Sequence, residues 1–149
     1  MTQKLTAARK YDGLTADKKF LILREAYRNY LTFKQYVTDT GRDVIEYAVP
    51  ESEDSEVWVP ISICFSDLER ALKLFKDGSE AENTILSVRK EQAFLLNVIM
   101  DQRQEDVAEQ MGITTVSVGQ YVKQACLQLS EYYFGDMSSE DIKTDESEG

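Results

Sequence analysis

The chain has 149 residues, 42% hydrophobic and 30% charged, the balance of one folded domain or two small ones sharing a core; no apolar run of about 18 residues could span a membrane. It contains no histidine and two distant cysteines, Cys64 and Cys126, which excludes His-based acid–base or Ser-His-Asp chemistry and any Cys/His zinc set. The net charge of −10 is polarised: nine Lys/Arg against four Asp/Glu over residues 1–42 (+5), three against eleven over 43–83 (−8), four against six over 84–134 (−2) and one against six over 135–149 (−5).

Residues 1–14 carry Lys4, Arg9 and Lys10 without the apolar stretch of a signal peptide, and read as a basic arm on a chain that stays in the cytoplasm. An α+β part follows over residues 15–78. Thr15 is a plausible N-cap, and Phe20, Leu23, Tyr27, Tyr30, Leu31, Lys34 and Val37 recur near helical spacing, so a single helix is expected up to Gly41, its aromatic stripe turned to the core.

The period then becomes two. Val44, Ile45, Tyr47 and Val49 precede Pro50, and Val57, Trp58, Val59 and Ile61 follow the acidic run Glu51, Glu53, Asp54 and Glu56, which predicts a β-hairpin with a solvated charged tip. Ser66 and Glu69 form a capping-box pattern opening a helix with Leu68, Ala71, Leu72 and Phe75 on one side, ending near Gly78. Residues 79–85 are polar and aperiodic, and read as a linker. Residues 135–149 have the composition of a disordered acidic tail. Cys64 and Cys126 sit among apolar residues and read as buried free thiols.

Residues 86–134 contain three closely spaced helical segments. The first, about 87–100, offers Ala93, Phe94, Leu96 and Val98 to a core; the second, about 104–111, offers Val107, Ala108 and Met111. Gly112 stands where the second segment must end in a left-handed conformation, Ile113 plugs the turn and Thr114 caps the third segment. In that segment Val118, Val122, Ala125 and Leu129 make one buried stripe, leaving Thr115, Val116, Gly119, Gln120 and Lys123 outward, with Ser117 and Gln124 at the margin. A short turn beside small Ala108 lets two helices cross steeply, which is what holds a helix proud enough to enter a DNA major groove about 12 Å wide. The fold expected is mainly α with a small β-hairpin: an N-terminal α+β part and a C-terminal helix-turn-helix.

Residues 86–129 resemble region 4 of bacterial sigma-70-type factors. Leu86, Arg89, Phe94, Leu95, Leu96, Gln104, Glu105, Ala108, Gly112, Ile113, Val118, Ala125 and Leu129 fall in register without a gap, with conservative exchanges at Asp106, Val107, Thr114, Ser117 and Val122. The resemblance covers under a third of the chain, and it implies a sequence-specific, sigma-like regulator of the phage type that binds double-stranded DNA in a bacterial host cell, with RNA polymerase as a further partner. The short, acidic N-terminal part suits a phage-type protein better than a full sigma factor. The chain departs from the pattern where Gly119, Gln120, Tyr121, Gln124, Cys126 and Gln128 replace most of the third helix's basic residues, and where Arg103 stands in place of a capping Ser or Thr. Fewer phosphate contacts mean weaker binding and a flatter salt dependence.

The DNA-contact set expected is therefore Thr115, Val116, Ser117, Gly119, Gln120, Lys123 and Gln124 on the third helix, with Arg89, Lys90, Arg103 and Gln104 beside it. Glutamine, threonine and valine can read adenine edges and the thymine methyl, and the arginines and Lys90 can touch phosphates. The missing positive charge must come from the basic head, including Lys18 and Lys19, or from homo-oligomerisation, which attraction between the head and the acidic middle would favour. Two other readings stay open: a packaging-initiation protein of the small-terminase type, and a protein-binding adaptor whose acidic surface imitates DNA. No Gly-rich phosphate loop, metal cluster or activated nucleophile occurs, so neither enzymatic activity nor a cofactor is expected.

Overall fold

A computed structural model describes residues 14–135, so the basic-arm residues Lys4, Arg9 and Lys10 and the acidic tail beyond Gly135 lie outside the described residues. The protein is mainly α-helical with a small β-hairpin. Its elements are α1 (Ala16–Arg28), α2 (Tyr30–Thr40), β1 (Val44–Pro50), β2 (Trp58–Cys64), α3 (Phe65–Glu82), α4 (Ile85–Phe94), a π-helical turn (Leu95–Ile99), α5 (Gln104–Met111) and α6 (Thr115–Phe134). Among the described residues no helix is long and apolar enough to cross a membrane.

Thr15 caps α1 as expected, its hydroxyl accepting from Lys18 N at 3.1 Å. The single helix expected up to Gly41 is instead two. Asn29 leaves helical geometry (φ −105°, ψ 17°) while its side-chain amide donates to Glu25 O at 2.8 Å. A short amide that bonds the backbone locally competes with helix propagation. The break separates a deeply buried α1, with Phe20, Leu21, Ile22, Leu23, Ala26 and Tyr27 in the core, from an α2 with no buried residue. Tyr30, Phe33 and Val37 pack against the core from outside, but Leu31, expected on the apolar stripe, is 62% exposed.

The expected hairpin forms, pairing Ile45 with Ile63, Tyr47 with Ile61 and Val49 with Val59. Ile45, Val49 and Ile63 are buried, and Tyr47 Oη donates to Ile22 O at 2.7 Å, fixing the sheet on α1. Trp58 stays 53% exposed.

The start of α3 corrects the capping-box expectation. Ser66 and Glu69 do not cap each other; Asp43, just ahead of β1, performs the task from across the hairpin. Its Oδ1 accepts from Ser66 N at 3.0 Å and Ser66 Oγ at 2.9 Å, and its Oδ2 accepts from Cys64 Sγ at 2.9 Å. Glu69 accepts instead from Tyr30 Oη at 3.1 Å.

Helix α3 also continues past Gly78 to Glu82, and Asn83 ends it in the left-handed region (φ 50°). The stretch 79–85 is thus helix followed by a tight corner. Ser79 and Ser87 are both buried and each hydroxyl donates to the other's carbonyl, at 2.9 and 3.2 Å, which clasps α3 to α4. The polar composition that suggested a linker belongs to the exposed side of the helix end.

One core runs through both halves of the chain. Phe94 meets the rings of Tyr27 (5.4 Å) and Phe75 (5.8 Å) edge-on, joining α4 to α1 and α3. Tyr27 Oη donates to Leu68 O at 2.7 Å within this junction. At the far end of α6, Tyr133 Oη accepts from Cys64 N at 3.0 Å, tying the last helix to the hairpin. Cys126 is fully buried, as expected of a core thiol, whereas Cys64 is half-buried and bonded to a carboxylate.

Phe94→Ala removes the ring at this junction and should cost about 3–5 kcal/mol. Helical circular dichroism and Trp58 fluorescence should report one shared unfolding transition; two separate transitions would mean the halves do not share a core. Burial, aided for Cys64 by the bond to Asp43, pushes the thiols up from an ordinary 9.0 to about 11 (Cys64) and about 12 (Cys126). The unfolded chain sheds these protons first, so stability present below pH 9 should decline as pH rises towards 11. Urea titrations across that range should show a shallower decline in Cys64→Ala.

Candidate nucleic-acid interface

The second and third segments of the C-terminal part form as their residues require. Gln104–Met111 makes α5, and Gly112 closes it with φ 70° and ψ 35°, a conformation in which a Cβ carries a steric penalty. Gly112 N donates to Glu109 O at 3.3 Å and Ile113 N to Ala108 O at 3.0 Å, so the turn satisfies the helix's last carbonyls. Thr114 caps α6 by accepting from Ser117 N at 3.0 Å, and its own hydroxyl donates to Ser117 Oγ at 2.9 Å. Arg103 precedes α5 without a side-chain cap; it leans on Asp106 instead, at 3.5 Å.

The two sides of α6 divide as the spacing predicts, except at Gly119, which is expected outward but is half-buried. Val118, Val122, Ala125 and Leu129 are buried, joined by Cys126, Ser130 and Tyr133. Thr115, Val116, Gln120, Lys123 and Gln124 are exposed, and Val116 is 69% exposed, more than a helix leaves open when its first turn is covered. Ser117 and Gly119 are half-buried, Ser117 being engaged in the cap.

Gly119 is half-buried for a definable reason. A Cβ placed there would stand 3.8 Å from both Gln104 amide atoms, so the Gln104 side chain lies across the bare backbone of α6. The first residue of α5 and the second turn of α6 are thereby brought together. Arg103, Gln104 and Thr115 also share a polar cleft of about 370 Å³ with Arg28, Asn97, Asp101, Gln102 and Glu105.

Arg28 is the residue that sequence reading missed. It sits at the last turn of α1, nearly ninety residues before α6, and its Nε lies 3.8 Å from Asp101 Oδ1. Nothing in its local pattern, an (i, i+3) pair with Glu25 at 3.7 Å, distinguishes it from a solvated helix residue. Its position follows from the burial of α1 against α6 and the π-turn, a tertiary fact. That turn is itself organised by buried Asn97, whose Nδ2 donates to Gln102 O at 2.8 Å, and by Asp101 in the left-handed region (φ 55°).

Lys123, the one cation of the expected set on α6, is shared rather than free. Its Nζ lies 3.7 Å from Asp17 Oδ1 and 5.4 Å from the centre of the Phe20 ring. Arg89 is exposed and Lys90 half-buried on α4, and among the described residues neither joins the hydrogen-bonded or ion-paired groups around α6. Two described cations of the basic head are also engaged: Lys18 Nζ donates to the carbonyls of Pro50 and Glu51 at 3.1 Å each, and Lys19 lies over the Phe134 ring at 5.4 Å. Part of the attraction between basic head and acidic middle is thus satisfied within one molecule. Among the described residues no group of three or more Cys, Asp or Glu side chains is placed to hold a metal ion.

Because the added methyl at position 119 meets only ordinary contact distances, Gly119→Ala should stabilise α6 by up to about 1 kcal/mol. Thermal unfolding should move upward; a fall would show that Gln104 needs the bare backbone. Comparison of the chain with protein families, characterised proteins and solved structures finds no match.

Proposed function

We propose that the protein is a sequence-specific DNA-binding regulator whose α5–turn–α6 unit acts as a sigma-like helix-turn-helix, with α6 entering the major groove. The observation that carries this reading is the division of α6. Its buried stripe anchors the helix while its first three turns leave Thr115, Val116, Gln120 and Gln124 exposed among the described residues. An exposed β-branched valine beside glutamines suits contact with a thymine methyl and adenine edges. Gln104, lying against Gly119, adds an amide at the same edge. Arg103 and Arg28, lining the cleft beside Thr115, are suited to the phosphates flanking such a groove, although Asp101, Asp106 and Glu105 lie close to them.

The same carboxylates, and the Asp17 partner of Lys123, keep this binding weak at physiological salt. Action beside RNA polymerase in a phage-infected cell, or self-association, would supply the affinity that one copy lacks. The resemblance to sigma-70 region 4 favours transcription over packaging initiation.

Gln120→Ala should alter preference at one base position, while Lys123→Ala should weaken all duplexes alike and lower the salt slope by about one. The direct test is selection of bound fragments from a phage-carrying bacterial genome, with and without polymerase. Recovery of no common sequence under either condition, or mutants indistinguishable from the parent, would reject the α6 face.

A further inference from the structure

The acidic hairpin tip is not merely solvated. It folds back on α1 beside the face just described, where its oxygens hold two cations. Lys18 Nζ donates to the carbonyls of Pro50 and Glu51, and Arg24 Nη1 donates to Glu53 Oε2 at 3.2 Å. Arg24 is also 3.6 Å from Glu25, so its positive charge is doubly engaged. The Phe20 ring links this cluster to α6, with Arg24 Cζ 5.2 Å and Lys123 Nζ 5.4 Å from its centre. The two cations are therefore at most about 11 Å apart, close to the screening length of roughly 8–10 Å at physiological salt.

Lys18, Arg24 and Lys123 thus form a strip across the start of α1 and the third turn of α6. Its present partners are carbonyl and carboxylate oxygens, chemically what a phosphodiester offers. From this geometry we infer that the strip is a second contact for the DNA backbone, and that its Lys18 and Arg24 are masked in the free protein by the acidic tip of the hairpin. This inference rests on the DNA reading of α6 and adds regulation to it. Glu53 competes with the duplex for Arg24, and the charges of Glu51, Asp54 and Glu56 beside it repel phosphates approaching along the strip. Displacement of the tip exposes Arg24 and strengthens binding without any change in α6. The masking also accounts for the engagement of Lys18 and Arg24 within the molecule.

The test is duplex binding by the full chain, measured over a range of salt concentrations with fragments of mixed sequence. Neutralising the tip (E51Q, E53Q, D54N, E56Q) leaves the backbone carbonyls that hold Lys18 in place. It should tighten binding about tenfold at 0.1 M salt and steepen the salt slope by about one, the signature of one added phosphate contact. Arg24→Gln in that background should return both quantities to the parent values. A control with the same charge change, D77N, E80Q, E82Q and E131Q, alters the opposite end of α6. Gly78 there lies beside Tyr132, about 18 Å along the helix from Gln120. This control should change affinity by less than about twofold.

If the parent binds DNA and the tip variant binds no more tightly, or if the control gains as much, the masked strip is wrong while the α6 reading stands. If neither the parent nor the tip variant binds any duplex at low salt, both fall together.

Discussion

Burial of the Val118, Val122, Ala125 and Leu129 stripe governs the arrangement of the chain, because α6 can satisfy it only by touching α1, α3, α4 and α5 together. Each of those helices brings its own requirement. Helix α1 needs cover on several sides, since Phe20, Leu21, Ile22 and Leu23 are consecutive and no single helix face could bury all four. Helix α4 needs a socket for Phe94, which the Tyr27 and Phe75 rings supply. Full burial of side chains of this size is worth about 1.5–3 kcal/mol each, far above any exposed ion pair on the surface. Apolar packing therefore sets where the helices lie, and the charges settle among the positions left.

That order explains what the sequence disclosed. The turn at Gly112, the caps at Thr15 and Thr114, the two strands of the hairpin and the α6 stripe are decided within a few residues, by a backbone angle, a side-chain acceptor or a period. They were legible. What failed were features in which a distant residue takes over a local role. Asp43 reaches across the hairpin to cap α3, so Ser66 and Glu69 need not cap each other. Ser79 turns inward to Ser87, so a polar stretch became helix rather than linker. Asn29 interrupted a good helical period by bonding its own backbone, a choice the spacing of Tyr27 and Tyr30 could not reveal.

The candidate interface divides along the same line. Which α6 residues face outward followed from periodicity, and their exposure agrees with it except at Gly119, which Gln104 covers. The surroundings of that face did not follow. Arg28 at the cleft, Asp17 on Lys123 and the return of the acidic hairpin to Arg24 all depend on α1 crossing α6. Segment charges of +5 and −8 describe how much charge each stretch carries, but not that two cations of the head are held by the tip.

Helix α2 stands apart from this economy of burial. With no side chain sealed from solvent, it rests on the ring of Tyr30 stacked against Phe65, that of Phe33 tilted against Tyr47, and the corner at Asn29. An eleven-residue helix of that kind is marginal by itself in water. Its opening should therefore cost less than global unfolding, being resisted by those ring contacts, the Tyr30–Glu69 hydrogen bond and Val37 on the core. The smallest cooperative unit of the molecule omits residues 30–40, and the chain can surrender that segment to local fluctuation while the interior around Phe94 stays closed.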